Sequence, residues 1–110
     1  QIEGGFVQGL GYALFEEMVW DGARLANPSL MDYKIPTMHE APYEIDAIIV
    51  ESEGGDGPFG AKGVGEVGII PVAAAISNAV ARATGTRHER LPLTSERILD
   101  GLLDIGNADH

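Results

Sequence analysis

Gln1-Ile2-Glu3-Gly4-Gly5-Phe6-Val7-Gln8-Gly9-Leu10-Gly11-Tyr12-Ala13-Leu14 opens the chain. Ile2, Phe6, Leu10 and Leu14 recur every fourth residue, so they form one stripe of a helix expected from Gln1 to about Met18. Four glycines inside such a helix cost about 4 kcal/mol relative to alanine. Gly5, Gly9 and Ala13 share the four-residue spacing and make a smooth ridge. A ridge without side chains lets another backbone or a flat ligand come close. Tight helix packing and ligand approach both stand as readings of it.

The rest of the chain must supply what that helix packs on. Asp21-Gly22 between Met18-Val19-Trp20 and Ala23-Arg24-Leu25-Ala26 is a hairpin signal. Residues 27–42 are irregular, punctuated by Pro28, Pro36 and Pro42. Tyr43, Ile45, Ala47 and Ile49 alternate with Glu44 and Asp46, and Ile48 and Val50 then make both faces apolar. Residues 43–51 therefore read as a strand whose far half is buried on both sides. A second helix is predicted from Ile69–Pro71 to about Thr84, with Val72, Ile76, Val80 and Ala83 as its stripe. Pro71 suits its first turn and Gly85 the position past its end. Thr94 suits the N-cap of a last short helix with Ile98, Leu99, Leu102 and Leu103 inward, and Asn107–His110 reads as a frayed tail. The expected fold class is α+β: two longer helices and a short C-terminal helix packed on a small sheet.

At 110 residues the chain has room for one domain, 1–110. Seventeen acids against seven bases give a net charge of −10. That balance argues against nucleic acid and against an anionic membrane surface as partners. The chain has no cysteine, which excludes a disulfide scaffold, an iron–sulfur site and thiol catalysis within it. No apolar run is read as approaching a membrane span of about 18 residues, and no signal peptide is read. A cytoplasmic location without membrane insertion is expected. His39, His88 and His110 are read as surface residues.

Seven of the fifteen glycines lie between Gly54 and Gly68. Gly63-Val64-Gly65-Glu66-Val67-Gly68 matches the dinucleotide fingerprint G-x-G-x-x-G, but Gly57-Pro58-Phe59-Gly60-Ala61-Lys62 cannot be the strand that fingerprint needs. Ala61-Lys62-Gly63 lacks the hydroxyl of a P-loop, and Pro92 stands where a zinc motif starting at His88-Glu89 needs its second histidine. Glu66 remains. It reads either as a helix-start acid or as a working carboxylate that glycines leave room around.

Four stretches, in order, resemble one family. They are Gln1–Gly11, Leu30-Met31-Asp32-Tyr33-Lys34-Ile35-Pro36, Gly60-Ala61-Lys62-Gly63-Val64-Gly65-Glu66 and Leu93-Thr94-Ser95-Glu96-Arg97-Ile98. Together they look like the C-terminal segment of the molybdenum-binding (large) subunit of the xanthine dehydrogenase, aldehyde oxidase and carbon monoxide dehydrogenase family. The resemblance runs over nearly the whole chain, and the Gly-Ala-Lys-Gly-Val-Gly-Glu form looks more like the separate-subunit bacterial members of carbon monoxide dehydrogenase type than like animal xanthine dehydrogenase. It implies a molybdenum–molybdopterin cofactor, in its cytosine dinucleotide form. Glu66 falls on the family's active-site glutamate, a general base in the hydroxylation of an electrophilic carbon; in carbon monoxide dehydrogenase the chemistry differs. Gln1 falls on a glutamine that hydrogen-bonds the pterin. Lys62, Gly63, Val64 and Gly65 fall on the loop that lies along the cofactor. No residue of the chain is expected to ligate metal directly.

The resemblance also implies partners: the rest of the molybdenum subunit, iron–sulfur and flavin subunits or domains, and a small-molecule substrate. The family's subunit is several times longer than this chain, which is therefore expected to be a fragment, inactive and without cofactor on its own. A free-standing, non-enzymatic assembly domain is the alternative. The bared glycine face of the first helix is expected to drive a homodimer of the fragment, tightening with salt. Residues 54–65 are expected to be poorly ordered or displaced.

Overall fold

The computed structural model describes the backbone of residues 1–108 and the side-chain surroundings of residues 1–104. In chain order the elements are α1 (Ile2–Leu14), β1 (Trp20–Asp21), β2 (Arg24–Leu25), α2 (Val72–Thr84) and α3 (Ser95–Ala108), with short 3-10 turns at Pro58–Gly60 and Val67–Ile69. The α+β class and its three helices are as the sequence predicts.

α1 stops four residues before Met18. The N–H groups of Phe15 and Glu16 both close onto the Gly11 carbonyl, and Phe15 leaves helical geometry at φ −127°. The carbonyl of Ala13, left without a helical partner, accepts the N–H of Leu93 at 2.6 Å. That bond ties the end of α1 to the approach to α3. Ala13, Val72 and Leu93 are the buried hydrophobic residues among those described.

The ridge of α1 faces inward, and the tight-packing reading holds. Gly5, Gly9, Gly11 and Ala13 are its buried residues, while Phe6, Leu10 and Leu14 are half-buried and Ile2 is exposed. A Cβ added at Gly5 would stand 3.2 Å from the Cα of Gly68, and one at Gly9 would stand 2.6 Å from the Cβ of Val72. Only glycine allows the turn at Val67–Ile69 and the start of α2 to lie this close. The ridge is thus occupied by the chain's own residues, the backbone of Gly68 at Gly5 and the side chain of Val72 at Gly9. It is not the bare seam on which self-association was expected.

Local signals place α2 well. Pro71 precedes it, and Gly85 ends it at φ +77° with its N–H on the Ala81 carbonyl. Val72 is buried, Ile76 and Val80 are half-buried, and Ala83 is exposed. The 18 residues Val67–Thr84 are long and apolar enough in composition to qualify as a membrane span, contrary to the sequence reading. The stretch is broken at Ile70-Pro71, however, and α2 with its 13 residues is only about 20 Å long.

Thr94 caps α3 as predicted, its Oγ1 accepting the N–H of Arg97 at 3.3 Å. α3 is longer than expected and includes Asn107 and Ala108; Asp109 and His110 lie outside the described residues. Its apolar stripe is not covered: Leu99, Leu102 and Leu103 are exposed, though the sequence placed them inward. His88 corrects the surface reading of the histidines. A Cβ on Gly101 would stand 2.6 Å from its Cε1, and its Nε2 is buried without a hydrogen-bond partner.

The sheet is one antiparallel hairpin, with Trp20 opposite Leu25 and Asp21 opposite Arg24. The register makes Gly22 and Ala23 the two turn residues, one later than the Asp21-Gly22 signal. Gly22 sits at φ +58°, a conformation glycine adopts without strain. The strand expected at residues 43–51 is not formed. That segment is drawn out but unpaired, with Ile48, Ile49 and Val50 about four-fifths exposed. Its both-sided apolar pattern calls for neighbours on each face, and the described residues leave most of it exposed. The radius of gyration is 18.1 Å, against about 13 Å for a compact domain of this length.

Candidate functional site

α1 sets Gln1, Gly4, Gly5 and Gln8 on one side, at helical spacings of three and four. The turn at Val67–Ile69 packs against that helix and brings the end of the glycine loop over the same side. Gln1 Nε2 donates to the Gly65 carbonyl at 3.2 Å, and Gln8 Nε2 donates to Glu66 Oε1 at 2.9 Å. These six residues line an open cleft of about 280 Å³. Glu66 also stands just ahead of the turn at Val67–Ile69, its carbonyl accepting the Ile69 N–H at 3.0 Å. Its carboxylate does not cap that turn. The side chain instead reaches back to α1, so the helix-start reading does not account for it.

The other loop residues divide. Val64 lines a neighbouring apolar cleft of about 430 Å³ with Gln1, Ile2, Glu3, Ala47 and Ile49. Lys62 turns away and donates to Ser52 Oγ at 2.7 Å. Gly63 touches nothing that a side chain would disturb. Gln1, Gly65 and Glu66 are therefore brought together, and Lys62 and Gly63 are not. The residue the sequence reading missed is Gln8. Its signal is the heptad spacing from Gln1, with Gly4 and Gly5 on the same face between them.

Among the described residues, no group of three histidine, aspartate or glutamate side chains is placed to hold a metal ion. The dinucleotide fingerprint fails as expected, since Pro58–Gly60 is a 3-10 turn with Phe59 at φ +57° and not a strand.

Residues 1–42 match the family of the molybdopterin cofactor-binding domain. The chain is 46% identical over 102 residues to the putative xanthine dehydrogenase molybdenum-binding subunit of Escherichia coli, covering 91% of this chain and 13% of that protein. It is 42% identical over 114 residues to the gamma subunit of the 6-hydroxypseudooxynicotine dehydrogenase complex of Paenarthrobacter nicotinovorans, covering 99% of this chain and 14% of that protein. The crystal structure of quinoline 2-oxidoreductase from Pseudomonas putida superposes with a TM-score of 0.84 at 34% identity, over 94% of this chain and 14% of that one.

The chain belongs to the xanthine dehydrogenase and aldehyde oxidoreductase family. It spans about one seventh of the length of these relatives. Molybdenum–molybdopterin is the cofactor of the xanthine dehydrogenase family, and the first two relatives named above are a molybdenum-binding subunit and a subunit of a dehydrogenase complex.

The cleft fits such a group. Gly4 forms part of its wall, and a Cβ added there would meet nothing within 4 Å; the same is true at Gly63 and Gly65. A glycine inside a helix costs about 1 kcal/mol. Nothing among the described residues requires one at position 4. A flat, polar-edged body lying against bare backbone, within reach of two side-chain amides and a carboxylate, would require it.

Proposed function

We propose that this chain supplies the catalytic base and one wall of the cofactor seat in the molybdenum-binding subunit of a hydroxylase. The observation that carries this is the placement of Glu66: a carboxylate held by Gln8 at the edge of a glycine-walled cleft. Gln1 and Gly65, with Lys62, Gly63 and Val64 running on along the loop, are the residues that would hold the cofactor, in its cytosine dinucleotide form. Bound there, molybdenum–molybdopterin supplies the oxygen transfer and takes up the electrons of substrate oxidation. Glu66 accepts and holds the proton released as an electrophilic substrate carbon is hydroxylated.

The glutamines of α1 fix the loop so that Glu66 keeps one position through that transfer. Glu66 is exposed in this chain, so the exclusion of water falls to the remainder of the subunit. The exposed Ile48, Ile49 and Val50 and the expanded shape support the same division of labour. Iron–sulfur and flavin subunits carry the electrons away, and the substrate is a small molecule.

The test is Glu66→Gln in the full-length subunit. Cofactor content should stay at the wild-type level while turnover falls about 10²–10⁴-fold, the usual contribution of a general base. Turnover above about a tenth of wild type would sink the assignment.

A further inference from the structure

We infer that Gln8 is a positioning residue for Glu66, an inference that rests on the function proposed above. Glutamate has three rotatable bonds, and Glu66 emerges from a loop where Gly63, Gly65 and Gly68 offer no side chain to pack against. Among the described residues, the bond from Gln8 Nε2 at 2.9 Å is the hydrogen bond its carboxylate makes. Gln8 comes from the second turn of α1, whose buried neighbours Gly5 and Gly9 seat that helix against Gly68 and Val72. The donor is therefore anchored on a helix seated closely against the chain, and the acceptor stands on a loop rich in glycine.

The bond engages Oε1 and leaves Oε2 to take the proton. Gln1 holds the neighbouring Gly65 carbonyl from the same helix face, so the two glutamines divide the work. Gln1 fixes the backbone of the loop, and Gln8 fixes the direction of the working side chain. Gln8 is exposed, which leaves it replaceable without disturbing the core. Losing the orientation of a reacting group while keeping its chemistry slows turnover more than it weakens binding.

The experiment uses the full-length enzyme with its cofactor. Gln8→Leu removes the donor at similar size, and Gln8→His keeps one. Gln8→Leu should lower kcat about 10–100-fold, the range seen when supporting partners are lost. KM and molybdenum content should stay within about twofold of wild type, and Gln8→His should recover much of the rate. In the Glu66→Gln background Gln8→Leu should slow the residual rate no further. In the cofactor-free crystal structure of Gln8→Leu the Glu66 side chain should spread over several rotamers while the backbone of Gly63–Gly65 stays in place. A Gln8→Leu enzyme within twofold of wild type overturns the inference. So does a shifted loop with lost molybdenum, which would make Gln8 a purely structural clip. If Gln8→Leu fails to accumulate, Gln8→Met, of similar length and without a donor, decides by the same readings. Glu66→Gln at full turnover would instead overturn the proposed function itself, so the two failures are distinct.

Discussion

A Cβ added at Gly9 would stand 2.6 Å from Val72, whereas one added at Gly4 would meet nothing within 4 Å. The two glycines lie on one helix and carry the same penalty in helix propensity. One is repaid inside this chain by the close seating of α2. The other is repaid by nothing described here. Glycine in this sequence thus stands in two settings that composition cannot separate: close backbone approach within the fold, and open space, which the function proposed above fills with the cofactor.

Substitution at the two positions should have opposite signs. Gly9→Ala drives a methyl into Val72, which is buried and, being β-branched, held to one rotamer in a helix. Overpacking of this kind costs about 1–3 kcal/mol, and the gain of up to about 1 kcal/mol in helix propensity offsets only part of it. Hydrogen-exchange protection of the α1 amides in the full-length subunit should fall about 5–30-fold. Val72→Ala should restore much of that loss, giving a non-additive pair. Unchanged protection in Gly9→Ala would mean that the two helices are not seated this tightly.

Gly4→Ala should do the reverse. Protection of α1 should rise, by up to about 1 kcal/mol, because nothing obstructs the new methyl. Cofactor content, read by metal analysis, should drop at the same time. A Gly4→Ala subunit that gains stability and keeps its full molybdenum content would erase the contrast between the two glycines.

The smallest effect concerns the irregular half of the chain. Tyr33 Oη donates to Glu16 Oε2 at 2.8 Å, which joins residues 27–42 to the end of α1. That bond, then burial and the charge of Glu16, push the Tyr33 phenol above its ordinary range. With its folded value raised, the phenol's contribution to stability is complete below the ordinary tyrosine range of about 10 and is lost as pH climbs through the raised value. Glu16→Gln should move the phenolate absorbance of Tyr33 to lower pH, with little change in stability near neutrality. No movement would show that the irregular half is not attached there.

What could be read in the sequence was what neighbours in sequence decide. Pro71, Gly85 and Thr94 mark helix ends through groups one to four residues away, and all three are where their chemistry puts them. Gly5, Gly9 and Ala13 announced a close approach by their spacing, though not what approaches. The strand at 43–51 and the inward face of Leu99, Leu102 and Leu103 could not be settled that way. An apolar pattern states that a surface wants cover, and among the described residues these surfaces stay mostly exposed. Glu66 was legible as an acid among glycines. Gln8 could be placed on the face of Gln1 by its spacing but not joined to Glu66, because that partner is 58 residues away and no local rule pairs them.

That separation also sets an order of events during synthesis. At about 5–20 residues per second, Glu66 follows Gln8 from the ribosome by roughly 3–12 s. α1 has only 13 residues, four of them glycine, and a helix so short and so glycine-rich does not persist alone in water. Within this chain its seat is complete only once Gly68 and Val72 have been made. The contacts that hold the helix aiming the carboxylate and those that hold the loop carrying it are therefore shared, and removing residues from 72 onward would strip Gly9 of its partner.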